Sequence, residues 1–251
     1  MCRPFHPLIL RFDSLASTNT EAARQAARGA SEGLCIVARE QTEGRGRRRR
    51  EWVSPKDAGL YVSIVLRPRL EMRAWPLLTL MASLAVADAL RDSCALAVDI
   101  KWPNDVLAGG RKICGILAEM LETETGRAGI VGIGINLTDN AFPPELRATA
   151  TSVEAETGAR PVVEDVLRSL LRAFGERYAR LEGAGGAEAM LDEWMKHSSY
   201  ATGKRVRVAL DAEIFEGVTR GLAGDGALRV ETFDGKIRTV HAGDVTAVRE
   251  Q

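Results

Sequence analysis

"TEGRGRRRREW", residues 42–52, separates two β-rich runs of the chain, "LCIVARE" at 34–40 and "GLYVSIVL" at 59–66. Both runs have the length and composition of short strands, so the stretch is predicted to be a loop that joins one strand to another. A doubly wound fold would instead alternate strands with helices. The connection therefore favours an antiparallel or mixed sheet.

The same loop concentrates positive charge. Five of the six positions 45–50 are arginine, although the whole chain balances 34 Lys+Arg against 34 Asp+Glu. Gly44 and Gly46 allow a backbone to approach a ligand closely, and arginine binds phosphate oxygens in a bidentate manner. A small polyanion is thus the favoured partner. A solvated charge run and a nucleic-acid patch remain alternatives, but no aromatic interleaving or basic helix face supports the latter.

Composition limits the class of protein. The 251 residues are 45% hydrophobic, which suits one large domain with a small second one. The balanced charge gives no field that would draw the protein to DNA or a membrane. No signal-peptide pattern and no apolar stretch of 18 residues is visible, so a soluble cytoplasmic protein is expected.

Cysteine and histidine do not predict a metal site, because none of them has metal-ligand spacing. Cys35 and Cys114 lie inside apolar runs, which predicts buried, reduced thiols. The dispersed residues are Cys2, Cys35, Cys94, Cys114, His6, His197 and His241.

Helices and strands follow from periodicity and turn residues. A capping-box pattern, Thr18-Asn19-Thr20-Glu21, predicts the start of the first helix. The predicted elements are a helix from residues 17–18 to Gly29, a helix at 74–91, a strand at 96–102, a hairpin of 112–121 and 128–137, a helix at 162–181 and a short helix around Trp194.

After Tyr200 the pattern changes to four short strands separated by Asp, Gly and Ala turns. This pattern predicts a small antiparallel barrel of about fifty residues that packs against the larger domain for stability. The fold class is therefore α+β, with a larger domain at 1–202 and a small C-terminal one at 203–251.

A second informative stretch is "KWPNDVLAGGRKICGILAE" at 101–119. It places Lys101, Asn104, Asp105 and Lys112 around one strand–loop–strand turn. Pro-Asn-Asp is ordinary turn chemistry, and an exposed lysine–aspartate pair contributes little. Lys112, however, opens an apolar strand, which suits either an exposed sheet edge or a ligand pocket.

Together these stretches resemble the biotin protein ligases, the biotin–[acetyl-CoA-carboxylase] ligases. The matching motifs occur in order: "STN" at 17–19, "Q" at 41, "GRGRR" at 44–48 with "W" at 52, "KWPND" at 101–105, "RK" at 111–112, "GIL" at 115–117 and "GIGIN" at 132–136. The resemblance implies a catalytic domain like that of class II aminoacyl-tRNA synthetases, followed by an SH3-like barrel. Because the match begins near residue 10, the form without an N-terminal DNA-binding domain is expected.

The resemblance also implies a two-step reaction. Biotin and MgATP would give biotinyl-5′-AMP, and a lysine of a biotin carboxyl carrier protein would then accept the biotinyl group. Lys112 and Arg47 would be catalytic, Asp105 and Lys101 would assist transfer, and no protein metal site is implied. Biotin would contact Ser17, Thr18, Asn19, Gln41, Gly44, Arg45, Gly46, Arg47, Lys112 and Gly115. ATP would contact Arg47, Arg50, Trp52, Asn104, Lys112 and Asn136.

Other interpretations stay open at this point. A lipoate–protein ligase shares the fold, a nucleic-acid-binding regulator could use the arginine loop, and an adapter could keep the fold without catalysis. Ser17 and Thr18 could only cap a helix, and Trp52 could only fill the core. The sequence is compatible with a homodimer, and no sequence-specific DNA binding or membrane association is expected.

The chain departs from the family pattern "GRGRRGR" at position 49, which is arginine here. If the family glycine has positive φ, Arg49 must be strained. Residues 43–51 are also predicted to be mobile until an anionic ligand orders them, because five arginines repel one another.

Overall fold

A computed structural model describes residues 5–248 of the chain, which form two β-sheets with helices packed on the larger one. The first sheet contains β1 (Leu8–Phe12), β2 (Leu34–Ala38), β3 (Gly59–Leu66), β4 (Asp99–Lys101), β5 (Asp105–Ala108), β6 (Arg111–Thr123) and β7 (Gly126–Asn136). Its order is β1-β2-β3-β7-β6-β5-β4. Only β1 and β2 run parallel, so this sheet is mixed.

Helices cover both faces of this sheet. The helices are α1 (Thr18–Ala27), α2 (Leu77–Cys94), α3 (Val153–Thr157), α4 (Val163–Leu181) and α5 (Gly186–His197). The small residues Ala22 and Ala26 of α1 pack on one face, and α2 and α4 build the main core on the other. Every residue of β3 is consequently buried, which explains its continuous apolar sequence.

One helical segment, residues 72–94, is long and apolar enough to cross a membrane by length and composition alone. Most of it is buried inside the protein, and helix α2 within it forms the centre of the main core. Core helices commonly meet the same criterion, because they are apolar on all sides.

The second sheet is antiparallel. It contains β8 (Thr202–Ala209), β9 (Ile214–Leu222), β10 (Leu228–Thr232), β11 (Ile237–Val240) and β12 (Asp244–Ala247), in the order β11-β10-β9-β8-β12. The indole Nε1 of Trp102, just after β4, donates to the carbonyl of Gly226 in the turn between β9 and β10 at 2.9 Å, a buried hydrogen bond. The α+β class, with a mixed sheet and a C-terminal antiparallel sheet, is thus confirmed.

Several sequence predictions need correction. The strands β1, β5 and β12 and the helix α3 were missed, since each is short and carries little periodic signal. The strand expected at 96–102 shrinks to Asp99–Lys101. The capping box is not formed, because Ser17 is the N-cap and its side chain makes no capping hydrogen bond. Glu21 pairs instead with Arg24 at 2.6 Å.

The thiol prediction is confirmed for the described cysteines. Cys35 and Cys114 are buried and free, and Cys94 is free and half-buried. Burial raises the pKa of Cys35 to about 12, so its thiol is protonated at neutral pH. Cys2 lies outside the described residues.

Candidate active site

A cavity of about 140 Å³ opens on the α1 side of the mixed sheet, between the arginine loop and the strands β6 and β7. The predicted site residues that line it are Ser17, Thr18, Asn19, Gln41, Arg45, Gly46, Arg47, Arg50, Trp52, Asn104, Asp105, Lys112 and Gly115. Gly44, Lys101 and Asn136 do not line it. The fold therefore brings residues from five separate stretches of sequence around one space.

One end of the cavity is neutral and internally hydrogen-bonded. The Oε1 atom of Gln41 accepts from the backbone N–H of Thr18 at 2.8 Å and from its hydroxyl at 3.0 Å. The Nε2 atom of Gln41 donates to Ser54 Oγ at 2.8 Å. Ser17 is buried, and its hydroxyl is not used for capping. These groups form a fixed set of donors and acceptors at the N-terminus of α1.

Glycines on two strands make room for the cavity. A Cβ added to Gly132 would lie 2.0 Å from the Oδ1 atom of Asn19, and one on Gly134 would lie 2.4 Å from Trp52 Nε1. A Cβ on Gly115 would lie 2.9 Å from Trp52 Cζ3. Because every second residue of a strand faces the same side, the "GIGIN" pattern places glycines toward the site and isoleucines toward the core.

Trp52 lies across these glycines. Its Nε1 is the one buried side-chain nitrogen or oxygen among residues 5–248 that has no hydrogen-bond partner. Leaving such a donor unpaired costs about 1–3 kcal/mol. The ammonium of Lys112 lies 5.2 Å from the centre of the indole ring. Trp52 is therefore part of the cavity wall, and its buried N–H faces Gly134 of β7.

The other end of the cavity is charged. Asp105 accepts from Lys112 Nζ at 2.6 Å and from Lys101 Nζ at 3.2 Å. Burial alone would raise the pKa of Asp105, but the two ammonium groups hold it below its ordinary value. Asp105 is thus ionised at neutral pH. Lys101 reaches the site only through this carboxylate.

The position of Lys112 is fixed by its backbone. Its N–H donates to Thr149 O at 2.7 Å, and its carbonyl accepts from the N–H of Thr151 at 2.9 Å. The buried amide of Asn136 donates to Thr151 O at 3.0 Å. Asn136 therefore lies behind the site and holds the segment that orients Lys112, which the sequence alone could not indicate.

The arginine loop closes one side of the cavity. The carbonyl of Gly44 accepts from the N–H of Trp52 at 2.9 Å, and a Cβ on Gly44 would lie 2.1 Å from Trp52 O. Only glycine therefore fits at position 44, where the loop backbone packs against that of Trp52. Arg45 forms an ion pair with Glu119, whose carboxylate also accepts from Asn19.

Arg47 reaches into the cavity from the loop. Its Nη1 donates to Asn104 Oδ1 at 3.2 Å and to the carbonyl of Gly243 at 3.3 Å. Burial lowers the pKa of Arg47 from its ordinary value, and the neighbouring carboxylates of Asp244 and Asp105 oppose that effect. A guanidinium stays protonated in such surroundings. Arg47 thus presents a partly desolvated positive charge.

Two further arginines contact the C-terminal sheet. Arg48 Nη2 lies 2.9 Å from Asp211 Oδ1 and its Nη1 lies 3.4 Å from Asp244 Oδ2. Arg50 also pairs with Asp244, which itself lines the cavity. Asp244 was missed because it lies more than 190 residues from the loop and has no motif around it.

Arg49 adopts φ 60°, in the left-handed region that favours glycine. Arg49 therefore has the positive φ at which strain was expected, and Arg48 has a similar conformation with φ 54°. The repulsion argument for a mobile loop needs correction, because Arg45, Arg48 and Arg50 each have a carboxylate partner. Ligand-dependent ordering of residues 43–51 stays a prediction.

Metal-binding residues do not cluster in the described part of the chain. Between residues 5 and 248, no group of three His, Cys, Asp or Glu side chains is arranged to hold a metal ion.

Residues 12–136 match the biotin/lipoate A/B protein ligase family, and residues 202–246 match the biotin protein ligase C terminal domain.

Curated relatives extend this likeness over most of the chain. A biotin–[acetyl-CoA-carboxylase] ligase of Paracoccus denitrificans is 38% identical over 219 residues, covering 84% of this chain and 89% of that protein. A bifunctional ligase/repressor BirA of Bacillus subtilis is 36% identical over 242 residues, covering 94% of this chain and 73% of that protein.

Solved structures agree with the relatives. A biotin protein ligase from Aquifex aeolicus, in complex with biotin and ATP, superposes with a TM-score of 0.82 at 28% identity. The match covers 96% of this chain and 99% of that one.

Proposed function

Since the chain belongs to the biotin protein ligases of the biotin/lipoate A/B protein ligase family, we propose that it is an ATP-dependent ligase. It activates biotin as biotinyl-5′-AMP and transfers the biotinyl group to a lysine of a biotin carboxyl carrier protein. The Aquifex aeolicus relative was solved with biotin and ATP, which supports the same substrates here.

The observation that carries the proposal is the division of one cavity into a neutral end and a cationic end. Biotin has the same division, with a ureido ring at one end and a carboxylate at the other. Thr18 and Gln41 offer a donor and acceptor set to the ureido group, and Lys112 offers a cation to the carboxylate. The dithiolane ring of lipoate has no N–H or carbonyl that could exchange hydrogen bonds with these groups, which argues against lipoate.

In the first step a biotin carboxylate oxygen attacks the α-phosphorus of ATP. The bond from that phosphorus to the bridging oxygen breaks, and pyrophosphate leaves. Negative charges must approach each other, and Lys112 and Arg47 lower that cost. Losing one preorganised contact of this kind raises a barrier by roughly 3–4 kcal/mol. Both cations are fixed before reaction, Lys112 by its backbone and Arg47 by Asn104.

In the second step the ε-amine of the carrier lysine attacks the acyl carbon, an amide bond forms, and AMP leaves. The amine must first lose a proton, since an ordinary lysine has a pKa near 10.4. Asp105 is ionised at the cationic end, so it can accept a hydrogen bond from the incoming ammonium. Its pairing with Lys112 and Lys101 makes it a weak base. We therefore propose that Asp105 mainly orients the incoming lysine and contributes less to removing its proton.

The nucleotide would lie against Trp52, Asn104 and Arg50. The indole ring of Trp52 lines the cavity, and Arg50 is the most exposed of the cavity arginines. Mg²⁺ would arrive with ATP as part of the substrate. Asn136 supports the site through Thr151 without touching the cavity.

We further propose that residues 1–202 form the catalytic unit and 203–251 the C-terminal unit. The reaction belongs in the cytoplasm, where ATP is present and the free thiols of Cys35 and Cys114 stay reduced. Sequence-specific DNA binding is not expected of the arginine loop, because Glu119, Asp211 and Asp244 pair with three of its five arginines.

The test is a reaction with MgATP and a carrier domain, with either biotin or lipoate as the acid. We expect the mass of the carrier to rise by one biotinyl group on its lysine, and no comparable lipoyl transfer. Omitting ATP and replacing the carrier lysine by arginine are the controls. Equal transfer of both acids, or transfer of neither, would contradict the proposal.

A further inference from the structure

We propose that Asp244 is an intramolecular counter-ion for Arg50, which the polyphosphate of a nucleotide displaces when it binds. Asp244 belongs to the C-terminal sheet, yet its side chain lines the candidate active site. The inference rests on the proposed function, because Arg50 is assigned there to ATP.

The two arginines that meet Asp244 are held very differently. Arg48 has three partners in the C-terminal sheet and its neighbouring turn: Asp211 at 2.9 Å, Asp244 at 3.4 Å and the carbonyl of Ala209 at 3.4 Å. Its side chain is 29% exposed. Arg48 thus remains anchored when any one of these contacts is lost.

Arg50 has Asp244 as its one ion-pair partner among the described residues. Its side chain is 68% exposed, whereas that of Asp244 is 25% exposed. The carboxylate is therefore the more enclosed partner, and an incoming anion can reach the guanidinium from solvent. Since guanidinium binds phosphate and carboxylate with the same forked geometry, an incoming phosphate can take the place of Asp244.

Asp244 stays neutralised after such an exchange, because Arg48 remains beside it. The exchange therefore leaves no unpaired carboxylate next to the ligand. It also sets a limit on polyphosphate affinity, since each bound anion must replace an ion pair that already exists. ATP and the pyrophosphate product both have to compete with Asp244, and weak retention of pyrophosphate favours the forward reaction.

The loop itself does not depend on the exchanged contact. Arg47 donates to the carbonyl of Gly243, Arg45 pairs with Glu119, and Arg48 keeps Asp211. Neutralising Asp244 should consequently free Arg50 while the loop stays in place. The expected direction is tighter polyphosphate binding, the reverse of what loss of a supporting contact would give.

The experiment is calorimetric titration with magnesium α,β-methylene-ATP at saturating biotin, where no adenylyl transfer occurs. We expect Asp244→Asn to lower the Kd by about three- to tenfold, as for removal of one competing ion pair. Asp244→Ser should behave alike and guards against a folding defect of the first variant. Asp244→Glu should resemble the wild type. Asp211→Asn, which removes only an Arg48 partner, is the matched control and should change the Kd less than about twofold.

A double-mutant cycle separates displacement from a general field effect. In an Arg50→Gln background, Asp244→Asn should change the Kd by less than about twofold, since the guanidinium of Arg50 is absent and Arg48 is still held by Asp211. An equal gain in both backgrounds would overturn the inference, because the carboxylate would then act only by its charge. Weaker or unchanged binding in Asp244→Asn would overturn it as well.

Failure of this inference can be told from failure of the proposed function. A wild-type protein that biotinylates a carrier, with an Asp244→Asn variant that binds no tighter, overturns the counter-ion alone. A wild-type protein that neither binds the nucleotide analogue nor biotinylates a carrier overturns both.

Discussion

The two ends of the cavity are prepared for ligand in opposite ways. At the neutral end, Thr18, Gln41 and Ser54 hydrogen-bond to one another. At the charged end, Lys112 and Arg50 are ion-paired with the carboxylates of the protein itself. The neutral end therefore presents a shape that hardly needs to change. The charged end must exchange one anion for another each time a substrate binds.

The difference has a physical origin. Neutral polar groups can be buried when each has a hydrogen-bond partner, because the free-energy cost of removing them from water is then small. A cluster of cations cannot be gathered without anions, because like charges repel strongly where water is excluded. Protein carboxylates supply those anions, so specificity for biotin should reside in the neutral end and catalytic power in the charged end.

The largest expected effect comes from Lys112→Ala. We expect adenylate formation to fall by about 100- to 1,000-fold, because the cation at the reacting carboxylate is lost. The free energy of unfolding should change by only about 1 kcal/mol or less, since the pair with Asp105 is partly exposed. Pyrophosphate exchange and thermal denaturation measure the two quantities. Lys56→Ala, which removes a lysine paired with Asp13 outside the cavity, is the control. Wild-type rates in the first variant would show that the charged end is not catalytic.

Gln41→Ala should act on binding and spare the chemical step. The variant loses the acceptor for two donors of Thr18, so the KM for biotin should rise by about 10- to 50-fold while kcat stays within about threefold. Gln41→Glu retains the acceptor oxygen and should lie in between. An equal rise in the KM for ATP would mean that the two ends are not independent.

Salt should distinguish the two ends without any mutation. Raising the ionic strength weakens the attraction between a partly exposed cation and a polyphosphate, whereas neutral hydrogen bonds barely respond. Between about 50 and 500 mM potassium chloride we expect the KM for ATP to rise several-fold and the KM for biotin less than about twofold. Steady-state kinetics with one substrate saturating measures each value. Parallel changes in both constants would contradict the comparison.

The smallest effect is expected at Arg49, which does not line the cavity. Arg49→Gly should stabilise the protein by about 1 kcal/mol by removing the left-handed strain, and should change the adenylate off-rate by less than about twofold. Arg47→Gly should release the adenylate at least about tenfold faster, because Arg47 reaches into the cavity. Dissociation of labelled biotinyl-5′-AMP compares the variants. A leakier Arg49→Gly would place the adenylate contact two residues further along the loop.

Local sequence patterns were enough to find the central strands, whereas most of the cavity residues followed from the family resemblance. β3 matched its predicted range, and β6 and β7 formed the expected hairpin, because long apolar alternation and a tight turn are both local signals. The motifs "GRGRR" and "KWPND" also marked residues that do meet in space. Short elements such as β5 and β12 carried too few residues for any period to appear.

The remaining features depend on contacts between distant stretches. The sequence around Asp244 does not indicate that it pairs with Arg50 of the arginine loop. The pair forms only because the second sheet packs beside the first. The amide of Asn136 donates to Thr151 O, a contact that the motif did not indicate, and its contact with ATP stays a prediction. The carboxylate partners of the loop were missed for the same reason. The argument that its arginines repel one another therefore lacked these carboxylates.

The indole of Trp52 also gives the protein a built-in optical probe. The other three tryptophans, Trp75, Trp102 and Trp194, already donate to Leu70 O, Gly226 O and Ser83 Oγ, so their surroundings are set by the fold. Among the four tryptophans, only Trp52 lines the cavity, and its indole ring lies beside the ammonium of Lys112. A change in ultraviolet emission on adding nucleotide that is absent from a Trp52→Phe variant would therefore report on the cavity wall, without an attached dye.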